Sequence, residues 1–436
     1  MDGPKAPDVH AGCKRGLILV VLLTCLMNPA SGGNSDPFQH LLRAAGSLGE
    51  PRPEADAVES HRAAQERQLE RWLSTLLVEG APRFQRWYSE HDTFATGQQP
   101  PDTAERRFPG APSLPAGQGR SGHAVHGGPL IHFTHFNAAA HNYIRSSSLY
   151  RSQARRRMTA NGNALPAPPP EAMVALTGWW PLAHDQPTPI PLWDADAALR
   201  PTGANGYLNW PRVALVAPAD EDQQAHGTAP GFFAGRAISD AEVLSPRDFF
   251  RVEPSALELK ALMRNPQFYQ ASVIALGRPM QSGDALALVG FHLLHYGLKE
   301  GVWLTYWWDI NHKAQRESSE AASDDRREVL TAPWDAYRGD MTVSPDYPRE
   351  TDGSPNICFN PWFDAVFPDS GQGNGLKANC LSCHLRAGIP ATNRVQVTRG
   401  RPDPDKEDPS IVYTHLLWSL AKPRRTDEAE DDTPTH

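Results

Sequence analysis

The stretch "GDALALVGFHLLHYGLKEGVWLTYWWDIN" (Gly283 to Asn311) carries the clearest statement of the fold. Two runs of apolar, aromatic and β-branched residues flank the short connector "GLKEG" (Gly297 to Gly301). Branched and aromatic side chains suit a pleated, half-crowded surface, and a glycine at each end of a polar connector suits a chain reversal. The stretch therefore predicts an antiparallel hairpin with a loop of about five residues. Side chains alternate across a strand, so His292 and His295, an odd number apart, are expected on opposite faces and not on one metal. The strip Trp303–Trp308 could stack on a carbohydrate, with Asp309, Asn311 and His312 at its end. Aromatics in such a strand fit a core better, and the sequence marks no second carboxylate that a hydrolase would need.

Working outward, "GGPLIHFTHFNAAAHNYIRSS" (Gly127 to Ser147) alternates like a strand and turns helix-like after Asn137. Residues 165–235 carry Pro and Gly every few positions between short apolar runs such as "RVALVA" (Arg212 to Ala217), a texture of short strands and turns. Residues 53–80 predict a helix with a solvated charged face, stopped by Gly80. Ser255 to Asn265 predict another, with Ser255 as N-cap and Glu258 three residues on. Asp408 to Lys422 predict a last helix, with Asp408 as cap and Pro409 in the first turn. Residues 97–128 read as a Gly-, Pro- and Ser-rich linker, and 314–330 as an exposed charged stretch.

These readings add up to an α+β protein with a β-rich central region and a short C-terminal cofactor-bearing segment. The expected division is a leader over 1–32, a helical and low-complexity region over 33–128, a β-rich domain over 129–345, a cofactor segment over 346–425 and an acidic tail over 426–436. The leader is expected because Lys14 and Arg15 precede the apolar run Gly16–Met27, and small residues follow it. That run is about 12 residues, against the ~20 needed to cross a bilayer, so an exported chain with no membrane span after cleavage is expected. Its location would be periplasmic or secreted. Cys25 lacks the small residue that a lipid-attachment site places just before its cysteine.

Composition narrows the partners. Among 436 residues, 40% are hydrophobic, which excludes a wholly disordered chain, and 41 Pro with 34 Gly argue against a helical bundle. The net charge of −8 gives no basic footprint for nucleic acid. Of five cysteines, Cys358, Cys380 and Cys383 follow residue 32. Three cysteines in an exported chain do not make a disulfide framework.

Two of the three lie in "NCLSCH" (Asn379 to His384), which has the form C-x-x-C-H of a c-type haem attachment site. Each part has a task. Two thiols add across the two vinyl groups of the porphyrin, two intervening residues put both sulfurs on one edge of it, and the adjacent imidazole reaches the iron. The upstream "GQGNG" brings backbone without bulk beside a flat ligand. Downstream, Gly388–Ile389–Pro390 could offer a carbonyl to the ring N–H of His384. Two other uses of the same residues remain open. A C-x-x-C pair can cycle as a thiol–disulfide site, although an aromatic beside the first cysteine and a β-α-β setting are missing. Cys358, Cys380 and Cys383 with one histidine could hold zinc. Otherwise Cys358 reads as a buried thiol.

On Cys380, Cys383 and His384 the chain resembles the single-haem c-type cytochromes. More loosely, it resembles large secreted bacterial proteins of unassigned function that join a β-rich region to a late C-x-x-C-H. In those a "VGFH"-like strand, a Trp-rich strand and an "NP-x-x-x-A-x-F" segment precede the motif, here Val289–His292, Trp303–Trp308 and Asn360–Phe367. The resemblance implies one covalent haem c, thioethers at Cys380 and Cys383, His384 as the proximal iron ligand, and electron transfer with an unknown redox partner protein. Where many small c-type cytochromes place a ligating methionine downstream, this chain has none after Met341. His415 is the first downstream candidate for the far side of the iron, sharing a predicted helix face with Ile411 and Trp418. His132, His135, His292 and His295 are the others. An open sixth position would permit peroxide or small-gas chemistry, so a haem-dependent oxidoreductase is the alternative function.

Overall fold

The computed structural model describes residues 36–48, 56–95, 130–160, 165–193, 208, 210–218, 227–312, 330–346, 357–364, 379–389 and 411–421. The expected leader, the linker over 97–128, the charged stretch up to 329, "GQGNG", Pro390 and the acidic tail lie outside the described residues. Phe38–His436 make one compact unit, and Met1–Pro37 are a unit of their own.

Helices α1 (Gln39–Leu48) and α2 (Asp56–Leu76) open the larger unit, and strands β1 (Leu77–Val78) and β2 (Ala81–Pro82) follow as a tight ribbon. The helix stops at Leu76, four residues before the expected Gly80, because Leu77 and Val78 pair with β2; Glu79 and Gly80, at φ 52° and 78°, instead make the turn of that ribbon. Strands β3 (Tyr88–Ser89), β4 (Ile131–Phe136) and β5 (Met173–Leu182) enter the main sheet, separated by α3 (Glu90–Phe94), α4 (Ala138–Ser146) and α5 (Ser152–Ala160). A second sheet follows, from β6 (Thr188–Leu192), β7 (Arg212–Val216), β8 (Thr228–Phe233) and β9 (Arg236–Leu244), in the order β6-β7-β9-β8. Then come β10 (Arg251–Val252), helices α6 (Ala256–Leu262) and α7 (Pro266–Leu276), and the strands β11 (Ala285–His295), β12 (Val302–Trp308) and β13 (Tyr337–Thr342).

The main sheet has seven antiparallel strands in the order β13-β12-β11-β5-β4-β3, with β10 also on β11. The hairpin expected at Gly283–Asn311 is β11 and β12, and every residue of both strands is buried. That explains their nearly unbroken apolar sequence, since both faces of the sheet are covered. It also settles the aromatic strip as core: Trp303, Trp307 and Trp308 are buried. The α+β fold with a β-rich core is as expected.

Register assigns the faces. His132 lies opposite Gly178, which lies opposite Gly290, and His292 lies opposite Thr305. This face receives the C-terminal elements. The other face carries Phe291, His295 and Tyr306 and is covered from the N-terminal side. Phe84 packs on Phe291 with ring centroids 5.3 Å apart, Trp72 meets His295 at 5.7 Å, and Tyr306 Oη donates to the Leu69 carbonyl at 2.8 Å. His292 and His295 thus point to opposite faces, as the alternation requires.

Helix signals read from sequence hold where the chain caps itself. Ser255 and Glu258 form a reciprocal capping box on α6, and Asn137 accepts from Ala140 N at 2.9 Å to start α4. The last helix is different. Residues 411–421 hold strand β15 (Val412–Tyr413) and then helix α10 (Trp418–Ala421); β15 pairs with β14 (Gly388–Ile389). Ile411 to Thr414 are β-branched or aromatic, and a partner strand lets them pair instead of coil. Among the described residues no helix is long and apolar enough to cross a membrane.

Candidate cofactor site

Three short pieces build the site on the C-terminal-element face of the sheet: α8 (Pro361–Asp364), α9 (Cys380–His384) and the β15–α10 turn. Asn379 starts α9. Its Oδ1 accepts from Leu381 N at 3.0 Å, and its Nδ2 donates to Thr342 Oγ1 at 2.8 Å and to the Ser344 carbonyl at 3.1 Å. One buried amide therefore caps the helix and fastens it to the end of β13. Leu381 and Ser382 are fully buried, and Leu381 joins a second core with Phe136, Val174, Leu294, Trp303, Leu416, Leu417 and Leu420. Cys380 and Cys383, i and i+3 on one helix, lie on one face a turn apart and are half-buried.

The imidazole of His384 is fixed twice. Its Nδ1–H donates to the Leu416 carbonyl at 2.7 Å. A carbonyl only accepts, so this bond puts the ring proton on Nδ1 and the lone pair of the neutral ring on Nε2, the atom a metal takes. The Trp303 ring lies against it, with centroids 3.9 Å apart. The carbonyl expected from Gly388–Ile389–Pro390 comes from Leu416 instead. Gly388 and Ile389 are engaged with β15, and Thr414 N donates to Ala387 O at 2.8 Å. His415 and Leu416 then take φ 48° and 71°, a reversal that presents the Leu416 carbonyl to His384.

His415 is not on a helix. It sits in that reversal with its ring half-buried, its Nε2–H donating to the Leu165 carbonyl at 2.9 Å, while its own carbonyl accepts from Tyr296 Oη at 2.6 Å. The shared face with Ile411 and Trp418 does not exist, because Val412 and Tyr413 are extended. Of the other histidines, His292 and His132 face the site and His135 and His295 face the opposite core. His292 Nδ1 accepts from Trp303 Nε1–H at 3.4 Å. The Phe363 ring fits between His292 and His132, at 4.4 Å and 5.2 Å. It lies over a floor of two glycines: a Cβ at Gly178 would come within 3.0 Å of Phe363 Cζ, and one at Gly290 within 3.3 Å of Phe363 Cε2. Asn360 locks this arrangement, with Nδ2 donating to Thr305 Oγ1 at 2.7 Å and to the Tyr306 carbonyl at 3.0 Å.

Burial sets the electrostatics. It pushes His292 down to about 3, helped by the nearby His384 and His132, so that ring is neutral. It pushes Asp364 up to about 7, and the neighbouring Asp340 adds to the rise while the Asn360 N–H opposes it. It raises the Cys380 thiol and raises the buried Cys358 thiol further. Cys380 Sγ–H donates to the Cys358 carbonyl at 3.4 Å. A redox C-x-x-C needs a stabilised thiolate, and a raised Cys380 works against one. Among the described residues Cys358, Cys380, Cys383 and His384 do not gather their ligand atoms within 4.8 Å of one another, as the zinc reading requires.

A group that does gather that closely is His184, Asp185 and Asp284, at the turn beside β5 and β11. Its carboxylates are already taken. Arg278 donates to both oxygens of the buried Asp284, at 2.6 Å and 3.0 Å, and to Asp185 at 2.6 Å, while His184 Nδ1 binds Asp284 at 2.8 Å. This is an ion-pair clasp that ties two loops.

The sequence marked Cys380, Cys383 and His384. It did not mark Asn379, Trp303 or the Leu416 carbonyl, which position them; Asn379, directly before a short helix, is the one with a local signal. No family model, curated protein or solved structure matches the chain.

Proposed function

We propose that this chain is an exported c-type haem protein, periplasmic or secreted, that carries electrons on one covalently attached haem. The observation that carries the reading is the joint arrangement of α9. Two thiols share one helical face, and the adjacent imidazole is held by a backbone carbonyl at Nδ1 with its lone pair at Nε2. Attachment needs no oxidant: each S–H adds across a vinyl C=C, the sulfur bonding one carbon and the proton going to the other. When bound, the haem supplies a one-electron iron centre. The chain's own residues do the rest. Cys380 and Cys383 would tether the ring edge and His384 would give its Nε2, while Leu381, Leu416 and Leu420 pack the second core that holds α9 in place. His292 and Asp364, both shifted by burial on the same sheet face, favour a second reading, a haem-dependent oxidoreductase with proton chemistry in the β-rich region.

The reading is tested by expressing the full chain with c-type maturation proteins and recording spectra after denaturation in alkaline pyridine. A haemochrome band that stays with the denatured polypeptide and vanishes in the Cys380→Ser, Cys383→Ser double variant supports it. A band that washes away from the wild-type chain overturns it.

A further inference from the structure

We propose that Trp303 and His292 form a positioning relay that fixes the plane and the donor strength of the His384 imidazole. The inference rests on the haem reading above and assigns a role to two sheet residues that no attachment motif contains. Trp303 reaches His384 from β12, His292 reaches Trp303 from β11, and the two strands are paired in the sheet.

A histidine tethered at Nδ1 alone can still rotate about the line from that hydrogen bond through the ring. The Leu416 carbonyl fixes the direction of Nε2, and a flat neighbour against the ring fixes the rotation. Trp303 is that neighbour, with centroids 3.9 Å apart and planes inclined by 41°. Trp303 is 6% exposed, held in the second core across from Leu294.

The indole has one polar atom, Nε1–H, which can only donate. Its partner is His292 Nδ1 at 3.4 Å, so Nδ1 is the acceptor and the His292 ring proton belongs on Nε2. This assigns His292 a tautomer in which its own Nε2 lone pair is unavailable to a metal. His292 is thereby a support for Trp303 and not the far-side iron ligand. Burial keeps the ring neutral, as an acceptor must be. Two electron-donating contacts then converge on His384: the Leu416 carbonyl at Nδ1, and an indole whose N–H is drawn toward a neutral base. Both would make the imidazole a stronger donor at Nε2, and a stronger imidazole donor would favour the oxidised state of a bound haem.

The test uses the haem-loaded full chain and three variants, one at Trp303 and two at His292, the two ends of the relay. Trp303→Phe keeps a ring against His384 and removes the N–H. His292→Leu removes the acceptor, and His292→Asn returns an acceptor oxygen. Haem per chain, reduction potential and the low-temperature electron paramagnetic resonance g-values are measured for each. The expected result is unchanged haem per chain, a positive shift in potential with altered g-values in Trp303→Phe and in His292→Leu, and return toward wild type in His292→Asn. Loaded variants whose potential and g-values all equal the wild type's overturn the relay alone. A wild-type chain with no covalent haem overturns the haem reading and the relay together.

Discussion

At the scale of single residues, the site is made by groups that sequence order keeps far apart. Gly178 and Gly290 lie opposite each other on β5 and β11, and their missing side chains make room for Phe363. A Cβ at Gly290 would also come within 3.1 Å of the Tyr306 carbonyl and 3.2 Å of Asn360 Nδ2. Gly290→Val is therefore expected to force α8 off the sheet and to cost about 1–3 kcal/mol, the usual range for overpacking. Urea denaturation of the variant against the wild type checks this, and an unchanged midpoint contradicts it. Asp364 gives a pH dependence whose sign is fixed by its shift. Its carboxyl is raised from 3.8 to about 7 in the folded chain. Between those values the folded state binds more protons than the unfolded state, so its contribution to stability falls as pH rises through that window. Asp364→Asn is expected to flatten the fall, since an amide oxygen can still accept from Asn360 N. Urea midpoints at about pH 5 and about pH 8 compare the two chains, and equal slopes would remove Asp364 as the cause.

At the scale of elements, α9 is too short to hold itself, because helix nucleation is costly and this helix spans only Cys380–His384. It stands because Asn379 caps it and Leu381 anchors it. Asn379→Ala removes the cap and two bonds to the β13 end, so a loss of about 1–3 kcal/mol is expected. Leu381→Ala leaves a cavity in the second core, and a loss of about 2–5 kcal/mol is expected. Thermal unfolding of both variants measures the losses, and a smaller effect at Leu381 than at Asn379 contradicts the ordering. Elements also mark how far the sequence could be read. Local signals succeeded: the β11–β12 hairpin, the Ser255–Glu258 capping box and the helix that begins after Asn137 all depend on residues near one another in the chain. The segment Asp408–Lys422 read as a helix because Asp408, Pro409 and Lys422 are local signals too. Only Trp418–Ala421 of the described part is helical; Ile411 to Leu416 became a strand and a reversal because pairing with Gly388–Ile389, a tertiary contact, outweighed them. The carbonyl that orients His384 is a product of that reversal, so it was out of reach of any local reading.

At the scale of the whole molecule, the seven-stranded sheet is packed on both faces, and the main core runs past it to include Trp362 and Phe363 of α8. One face packs on α2 through Leu69 and Trp72 and on Phe84, which follows β2. The opposite face receives α8, α9 and the β15–α10 reversal, with the polar groups of the site gathered between them. The attachment motif was legible in five consecutive residues. Its place on a sheet face, against Trp303 and beside His292, was not, because it depends on register and on a crossing of about 70 residues between β12 and α9. The sheet gives a small motif what a short helix cannot provide alone: a rigid wall and an imidazole held in one orientation.

The central claim is that Cys380 and Cys383 carry one covalent haem. Trypsin should release residues 378–386 from the denatured, haem-loaded chain, since Lys377 and Arg386 bound that peptide. Tandem mass spectrometry of it is the direct measurement. The account predicts the peptide with the mass of one haem added and both cysteines as thioethers. The same peptide with no added haem, its cysteines free or joined as a disulfide, would contradict it.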